Sequence, residues 1–552
     1  MFNSKTTFFT DKQKAHIQFW NKYERPPKKE YWDFIVERRD LLVPQDIRER
    51  KGSFFTPQIW VELSQKYIAD ALGEDWQDKY YVWDLAAGTG NLLAGLTNKY
   101  NIWGSTIDKQ DVDIIKDRIK NGANLLESHI FQFDFLNGDL EKLPPNLLEI
   151  IKDPEKRKKL VIYINPPYAE VSSVGKKGKA GVNKSNMHDK YAKLLGNASR
   201  EIFALFFARI FYEIKDCILA EFSTLKILQG SAFSQFREIF QAKLKKCFIV
   251  PANSFDNVKG EFPIGFKIWD TSINETFKKI KTEVYETTGR LVSKKTFNTF
   301  DKQPLINKWI SSFKSDSTLN IGFLAGTNGN DFQQNKIIYI LNSKNQMANP
   351  RGIWINEHNL IPASVFMACR RCMEITWINY YDQFFSPDQS WSLDSEFQTN
   401  SLAFILFHEK NLISSKQGIN HWIPFTEEEI GAKDNFMSHF LTDYLNGENI
   451  NDAKSDFFYK QNKNMKFSLE AKALFKTGKQ IWKYYHQQPN SNVNASLYDI
   501  REYFQGRNET GKMNNSSEDE QFTKLNSELR QNLQDLSKII QPKIFEHGFL
   551  KE

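Results

Sequence analysis

Val82-Trp83-Asp84-Leu85-Ala86-Ala87-Gly88-Thr89-Gly90-Asn91 decides the fold expected of this 552-residue chain. An apolar run ends on a carboxylate and meets two glycines. The pattern predicts a strand, a tight turn and then a helix whose first N–H groups are free. Glycine at Gly88 and Gly90 lets the backbone approach a ligand closely. The fragment falls short of the full G-x-G-x-x-G dinucleotide fingerprint and alone fits any tight strand-to-helix turn.

Further strands are expected beyond that turn. Tyr81–Leu85, Ile102–Ile107, His129–Phe133, Leu160–Ile164, Cys217–Phe222, Phe248–Pro251 and Gly265–Asp270 are short apolar runs separated by helical patterns. The alternation predicts an α/β, doubly wound, mostly parallel sheet with helices on both faces. Ligands of such sheets lie beyond the carboxyl ends of the strands. Asp108 follows the second strand, where a carboxylate can hold two ribose hydroxyls. Asp134-Phe135 follows the third, where the acid can accept from an adenine amino group and the ring can cover the base. Each acid alone also suits a loop or helix cap. Three at successive strand ends favour a ligand.

The fourth strand ends in Asn165-Pro166-Pro167-Tyr168. Two prolines make a stiff, donor-poor turn with outward carbonyls. The Asn165 side-chain oxygen and the Pro166 carbonyl can then accept from one amino group. An aromatic amine is a weak nucleophile because its lone pair is delocalised. Two acceptors on its N–H bonds return electron density to nitrogen. Tyr168 can hold the base by stacking. The bland alternative is a rigid strand-end turn with a packed Tyr.

Together these segments resemble the amino-methyltransferase family of DNA methyltransferases, in its N6-adenine branch. Asp84–Gly90 is similar to the family's D-x-A-x-G-x-G cofactor loop, with Asp84, Ala86, Gly88 and Gly90 in register. Asn165–Tyr168 is similar to its catalytic motif, and Lys51-Gly-Ser-Phe-Phe-Thr56-Pro57 to the segment that closes over the cofactor. The motif order is that of the γ group, and the resemblance covers about residues 48–270. It implies a seven-stranded Rossmann-like methyltransferase sheet and S-adenosyl-L-methionine as cofactor. Thr56, Pro57, Asp84, Ala86, Gly88, Gly90, Asp108, Asp134, Phe135 and Asn165 would bind it. It also implies direct in-line transfer to a flipped adenine in double-stranded DNA, held between Tyr168 and a second aromatic before the last strand. Phe262 is the choice for that ring, with Phe266 assigned to the core. Lys176, Lys177, Lys179, Lys184 and Lys190 suit either a basic loop over DNA or a solvated insertion.

The length suggests about three or four domains. We expect an N-terminal helical segment at 1–47, the methyltransferase domain at 48–285, a mixed or β-rich target-recognition domain at 286–430 and a helical region at 431–552. In the last, Ser517 and Glu520 form a capping-box pattern ahead of Phe522, Leu525, Leu529, Leu533, Leu536 and Ile540 on one face. Net charge is +7, from 74 basic and 67 acidic residues, which permits a polyanionic partner without requiring one. An aromatic share of 14% suits large cores and base stacking alike.

Four cysteines suit a reducing cytoplasm rather than a disulfide framework. Met1–Ala15 has no apolar signal core, and Ile202–Ile214 is too short and charged to cross a bilayer. Cys369-Arg-Arg-Cys372 lacks further ligands at zinc spacing, so no metal is expected. Arg370 and Arg371 can read base edges or phosphates, or merely occupy a helix surface. Glu49-Arg-Lys51 is an E-x-K of chance length with little chain before it, and no nuclease is expected. A cognate restriction endonuclease or a specificity subunit is compatible with the sequence. The alternatives are an RNA or protein-glutamine methyltransferase sharing the N-P-P-Y motif, and a non-catalytic DNA-binding subunit. The long C-terminal half favours site-specific DNA.

Overall fold

The computed structural model describes residues 56–171, 184–255, 258, 260–299, 302–315, 317, 319–347, 351–447 and 465–551, together with Lys14. Apart from Lys14, the expected helical segment 1–47 lies outside them, as do the Glu49–Lys51 triplet, residues 51–55 of the closing segment and Lys176, Lys177 and Lys179. The chain forms two compact units. The first takes the described residues up to Thr299 together with Thr376–Tyr381, and the second takes Lys302–Ile375 and the residues from Asp382 onward.

The first unit is built on nine strands: β1 (Tyr81–Asp84), β2 (Ile102–Thr106), β3 (Ile130–Gln132), β4 (Leu160–Ile164), β5 (Ile218–Thr224), β6 (Lys243–Pro251), β7 (Pro263–Asp270), β8 (Lys279–Tyr285) and β9 (Leu291–Asn298). Their order is β3-β2-β1-β4-β5-β7-β6-β8-β9. The first five in that order are mutually parallel. β7 runs antiparallel between β5 and β6, β8 runs parallel to β6, and β9 returns antiparallel. The sequence winds outward from β1 to β3 and then crosses back to β4. A crevice therefore opens at the carboxyl ends of β1 and β4.

All seven anticipated strands are present. The two beyond them form a hairpin, Lys279–Tyr285 against Leu291–Asn298, in which polar residues predominate and only Thr282, Val284 and Phe297 are buried. Such a hairpin carries no apolar run to betray it, and it takes the first unit across position 285.

β4 and β5 are buried at every position, as parallel strands covered on both faces must be. Successive side chains feed opposite cores. Val82, Val161, Tyr163, Ala220 and Phe222 join one cluster, and Trp83, Leu160, Ile162, Ile164 and Leu219 join the other. Helix α1 (Gln58–Leu72) covers the first cluster with Trp60, Val61, Tyr67 and Ile68, and α2 (Lys109–Lys120) adds Val112 and Ile115. Helix α3 (Ile202–Arg209) covers the second with Ile202, Phe203, Leu205 and Phe206. Each large apolar side chain so buried stabilises the unit by about 1.5–3 kcal/mol.

The helix expected directly after Gly90 is absent. Leu85–Asn98 is a series of turns, closed by Gly90 N–H to the Ala87 carbonyl at 2.7 Å and Ala94 N–H to the Asn91 carbonyl at 3.1 Å. Gly95, at φ +81°, breaks the helical path within a turn of its start.

The second unit has a three-stranded antiparallel sheet, β10 (Gly322–Ala325), β11 (Tyr339–Leu341) and β12 (Gly352–Ile355), in the order β11-β10-β12. Around it lie α4 (Leu360–Arg371), α5 (Ser395–Phe407), α6 (Leu469–His486) and α7 (Glu520–Glu546). One hydrophobic core runs from Ile306 to Leu550, so the residues on either side of 430 pack as one body. The apolar face of α7 is as expected, with Phe522, Leu525, Leu529, Leu536 and Ile540 buried. Its N-cap is not Ser517. The Asp519 carboxylate accepts the Phe522 N–H at 2.7 Å, while the Ser517 hydroxyl donates to the Phe504 carbonyl. A carboxylate two residues nearer the first turn satisfies its free N–H better.

Candidate active site

The turn after β1 is held from two sides. Arg118 on α2 donates to the Thr89 carbonyl at 2.7 Å and to Asn91 Oδ1 at 3.0 Å. Gln65 on α1 donates to the Ala94 carbonyl at 2.8 Å. Gly88 and Gly90 adopt φ of +52° and +86°, which a side chain would strain. Among the described residues, a Cβ on Gly88 would meet nothing within 4 Å, so they leave open space directly against that backbone. The Asp84 carboxyl at the end of β1 is 1% exposed and accepts the Ala86 N–H at 3.0 Å. Burial pushes this carboxyl up to about 8, against the opposing effect of that hydrogen bond. A cation brought beside it would restore the carboxylate.

Asp108 precedes the first turn of α2 as its N-cap, with its carbonyl rather than its side chain capping. Asp134 closes a turn after β3: its oxygens accept from the Leu136 N–H at 2.9 Å, the Asn137 N–H at 3.1 Å and Asn137 Nδ2 at 2.7 Å. Phe135 departs from expectation. It is 2% exposed, stacks on Phe206 at 5.2 Å and lies under the Arg209 guanidinium at 5.0 Å. Its ring belongs to the core and offers no open face to a base. Arg209, itself buried, donates to the carbonyls of Phe135 and Gly138 and so fixes this loop.

The loop after β4 brings two sequence-distant motifs together. Asn165 Nδ2 donates to Thr56 Oγ1 at 2.8 Å, and the Tyr168 hydroxyl donates to Asn165 Oδ1 at 2.7 Å. Pro57 precedes α1, whose first turn closes on its carbonyl. Thr56 is therefore anchored to a packed helix and holds the Asn165 amide in one orientation. An amide oxygen carries two lone pairs, and the Tyr168 hydroxyl occupies one of those on Asn165. Pro166 is buried, and Asn165, Pro167 and Tyr168 are half-buried. Burial, and secondarily the Glu221 charge, holds the Tyr168 phenol well above its ordinary value, so the hydroxyl stays protonated.

Phe262 directly precedes β7, which runs antiparallel to β5. It therefore stands at the same sheet edge as Tyr168, and both half-buried rings pack against both cores. β4 and β7 flank β5, about 10 Å apart. Phe266 is fully buried, as expected.

A buried ion pair lies beneath this loop and carries no local sequence signal beyond one charge in the middle of each of two apolar strands. Lys267 on β7 is 3.4 Å from Glu221 on β5, with both side chains 0% exposed. Glu221 pairs in register with Ile164, the residue before Asn165. Its Oε1 accepts from Trp269 Nε1 at 3.1 Å, while Oε2 has no partner among the described residues. Burial pushes Glu221 up to about 7 in spite of Lys267.

In the second unit Arg370 is fully buried rather than available to DNA. It donates to Asn335 Oδ1 and to the carbonyls of Gly329 at 2.7 Å and Asp331 at 2.9 Å, and its guanidinium lies 4.7 Å from the Phe384 ring centre. Those three acceptors on a loop after β10 explain an arginine in a core helix. Arg371 is half-buried and donates to the Ile338 carbonyl. Cys369 and Cys372 are buried free thiols. The cluster Asp394, Glu546 and His547 has metal-like spacing, but Lys543 already pairs with both acids. No helix among the described residues is long and apolar enough to cross a membrane.

No protein-family model matches the chain, and no curated protein matches it. Solved structures give distant likenesses. A DrdV–DNA complex is 15% identical, with 46% of this chain and 29% of that one covered, at a TM-score of 0.35. A type I restriction-modification methyltransferase subunit from Streptococcus thermophilus is 20% identical over 42% of this chain and 47% of its own, at 0.31. A modification subunit of a putative type I restriction enzyme from Vibrio vulnificus YJ016 is 15% identical over 52% and 60%, at 0.32. The chain covers less than two thirds of each. Likeness this distant carries no assignment, and the function is argued from the site itself.

Proposed function

We propose that this chain is an S-adenosyl-L-methionine-dependent DNA methyltransferase acting on N6 of a flipped-out adenine, in a bacterial restriction-modification or epigenetic system. The observation that carries the proposal is the hydrogen-bonded chain Thr56–Asn165–Tyr168 at the end of β4, beside the open glycine turn after β1. The segment at 48–285 supplies catalysis in this proposal, 286–430 target recognition, and 431–552 helical support for it. Double-stranded DNA is the partner, with a cognate nuclease or specificity subunit as companion, in the cytoplasm.

The residues present fit the cofactor. The space that the described residues leave at Gly88 admits a ligand against the backbone, and Asp84 four residues before it can become a carboxylate beside a cation. Thr56, Pro57, Ala86, Gly90, Asp108 and Asp134 complete the set that would hold it. When bound, S-adenosyl-L-methionine supplies a methyl group on a positively charged sulfur. Asn165 Oδ1 and the Pro166 carbonyl accept from the adenine amine and raise the electron density on its nitrogen. Tyr168 and Phe262 hold the base from its two faces. Prealignment of these acceptors lowers the barrier by proximity and electrostatics, without a covalent enzyme intermediate.

Purified protein incubated with methyl-labelled cofactor and separate pools of plasmid DNA, total RNA and protein tests this. Label is expected in DNA as N6-methyladenine. Asn165→Ala is expected to fold and bind cofactor while transfer collapses. Label confined to RNA or to protein glutamine would overturn the proposal in favour of those alternatives. Cofactor-free DNA binding without transfer would leave a non-catalytic subunit.

A further inference from the structure

Six residues far along the chain, Thr376–Tyr381, belong to the first unit. They form a self-capped turn: the Thr376 N–H donates to Asn379 Oδ1 at 2.9 Å, and the Asn379 N–H returns to Thr376 Oγ1 at 3.3 Å. Lys295 on β9 donates to the Ile378 carbonyl at 3.1 Å. Tyr381 is 5% exposed within the core that contains Trp83 and Phe135, and Trp377, Ile378 and Tyr380 pack against that core. A turn tied down by hydrogen bonds and four apolar side chains is a fixed element, not a passing loop.

Its Tyr380 ring meets Phe262, with centroids 6.2 Å apart and planes inclined at 40°. It also meets Tyr381 edge-on at 5.1 Å. On its other flank, Phe262 lies so close to Gly260 that a Cβ there would fall 2.5 Å from the ring. Phe262 is thus confined by a glycine backbone and by Tyr380.

We infer that Tyr380 is a positioning residue that sets the Phe262 ring for base capture. The inference rests on the proposed DNA methylation and adds to it a residue that no catalytic motif contains. A base held on one side by Tyr168 needs its second wall at a fixed distance. Phe262 sits at a strand end, and a neighbour must stop its ring from rotating out of place.

The test uses the full chain and a duplex carrying the sequence that the unaltered protein methylates, with 2-aminopurine at the target adenine in a parallel set. Tyr380→Leu keeps bulk but loses the ring. It is expected to lower kcat about tenfold with cofactor affinity unchanged, and to leave the flipped 2-aminopurine brighter than in the unaltered complex. Tyr380→Phe is expected to restore kcat to within about twofold of the unaltered protein, since the ring and not the hydroxyl meets Phe262. A Leu variant with unaltered kcat, or a Phe variant as impaired as Leu, overturns the inference alone. Absence of methylation by the unaltered protein overturns it together with the proposed function.

Discussion

Lys267→Met removes one member of the pair beneath the loop after β4 while keeping its length and apolar stem. In the structure the ammonium is 3.4 Å from Glu221 and also donates to the Ser223 and Gly265 carbonyls at 3.0 and 2.9 Å. Breaking a buried pair from one side costs about 3–5 kcal/mol when the remaining charge must stay. Glu221 can escape that cost by taking a proton, so the loss depends on pH. Burial already raises Glu221 from an ordinary 4.5 to about 7. The folded state therefore binds the proton more tightly than the unfolded state, and stability falls between those values as pH rises, then levels off. Without Lys267 the folded value climbs further, and the decline continues above pH 7 where the unaltered protein is level. The gap between the two is expected to be small at pH 6 and to widen by about 1.4 kcal/mol per unit above pH 7. Maleimide labelling of buried Cys217 and Cys247 in urea, read peptide by peptide, follows the first unit apart from Cys369 and Cys372 in the second. Glu221→Gln in the same chain should abolish the extra pH dependence. An equal loss at pH 6 and pH 9, or a double variant no more stable than Lys267→Met at pH 9, would refute the reasoning.

Asp84 is mostly protonated at pH 7, with its carboxyl pushed up to about 8 by burial. Binding of the proposed cationic cofactor should release nearly one proton at that pH and progressively less above pH 8, and Asp84→Asn should release none. Calorimetry in buffers of different ionisation heat measures this, and a binding heat indifferent to buffer would count against the assigned role. Arg370→Met leaves three acceptors in the second unit without their charged donor. It should destabilise that unit by at least about 3 kcal/mol in the thiol-labelling assay, while the methylated sequence stays the same. A changed target sequence with undiminished stability would restore Arg370 as a base reader.

The strands and the site differ in how legible they are from sequence. β1 and β4 announce themselves because an apolar run stops at Asp84 and at Asn165, and the residues after a strand are where such a sheet places its ligands. The β8–β9 hairpin is mostly polar and only partly buried, so the usual signal is missing. Gly95 defeats the helix expected after Gly90 through one backbone angle. Phe135 and Arg370 keep their residue types but change their meaning once Phe206, Arg209 and Asn335 are seen around them. Glu221 with Lys267, Arg118 with the glycine turn, and Tyr380 with Phe262 are pairings across distant segments. No local pattern encodes them, although one charge in the middle of each of β5 and β7 was a visible hint that the two charges meet.

The most direct test of the central claim is expression of the chain in a host whose DNA carries no methylation, followed by single-molecule sequencing for modified bases. The account predicts one recurring DNA sequence bearing N6-methyladenine, and its disappearance with Asn165→Ala. Unmodified DNA from cells that hold folded protein able to bind S-adenosyl-L-methionine would contradict it.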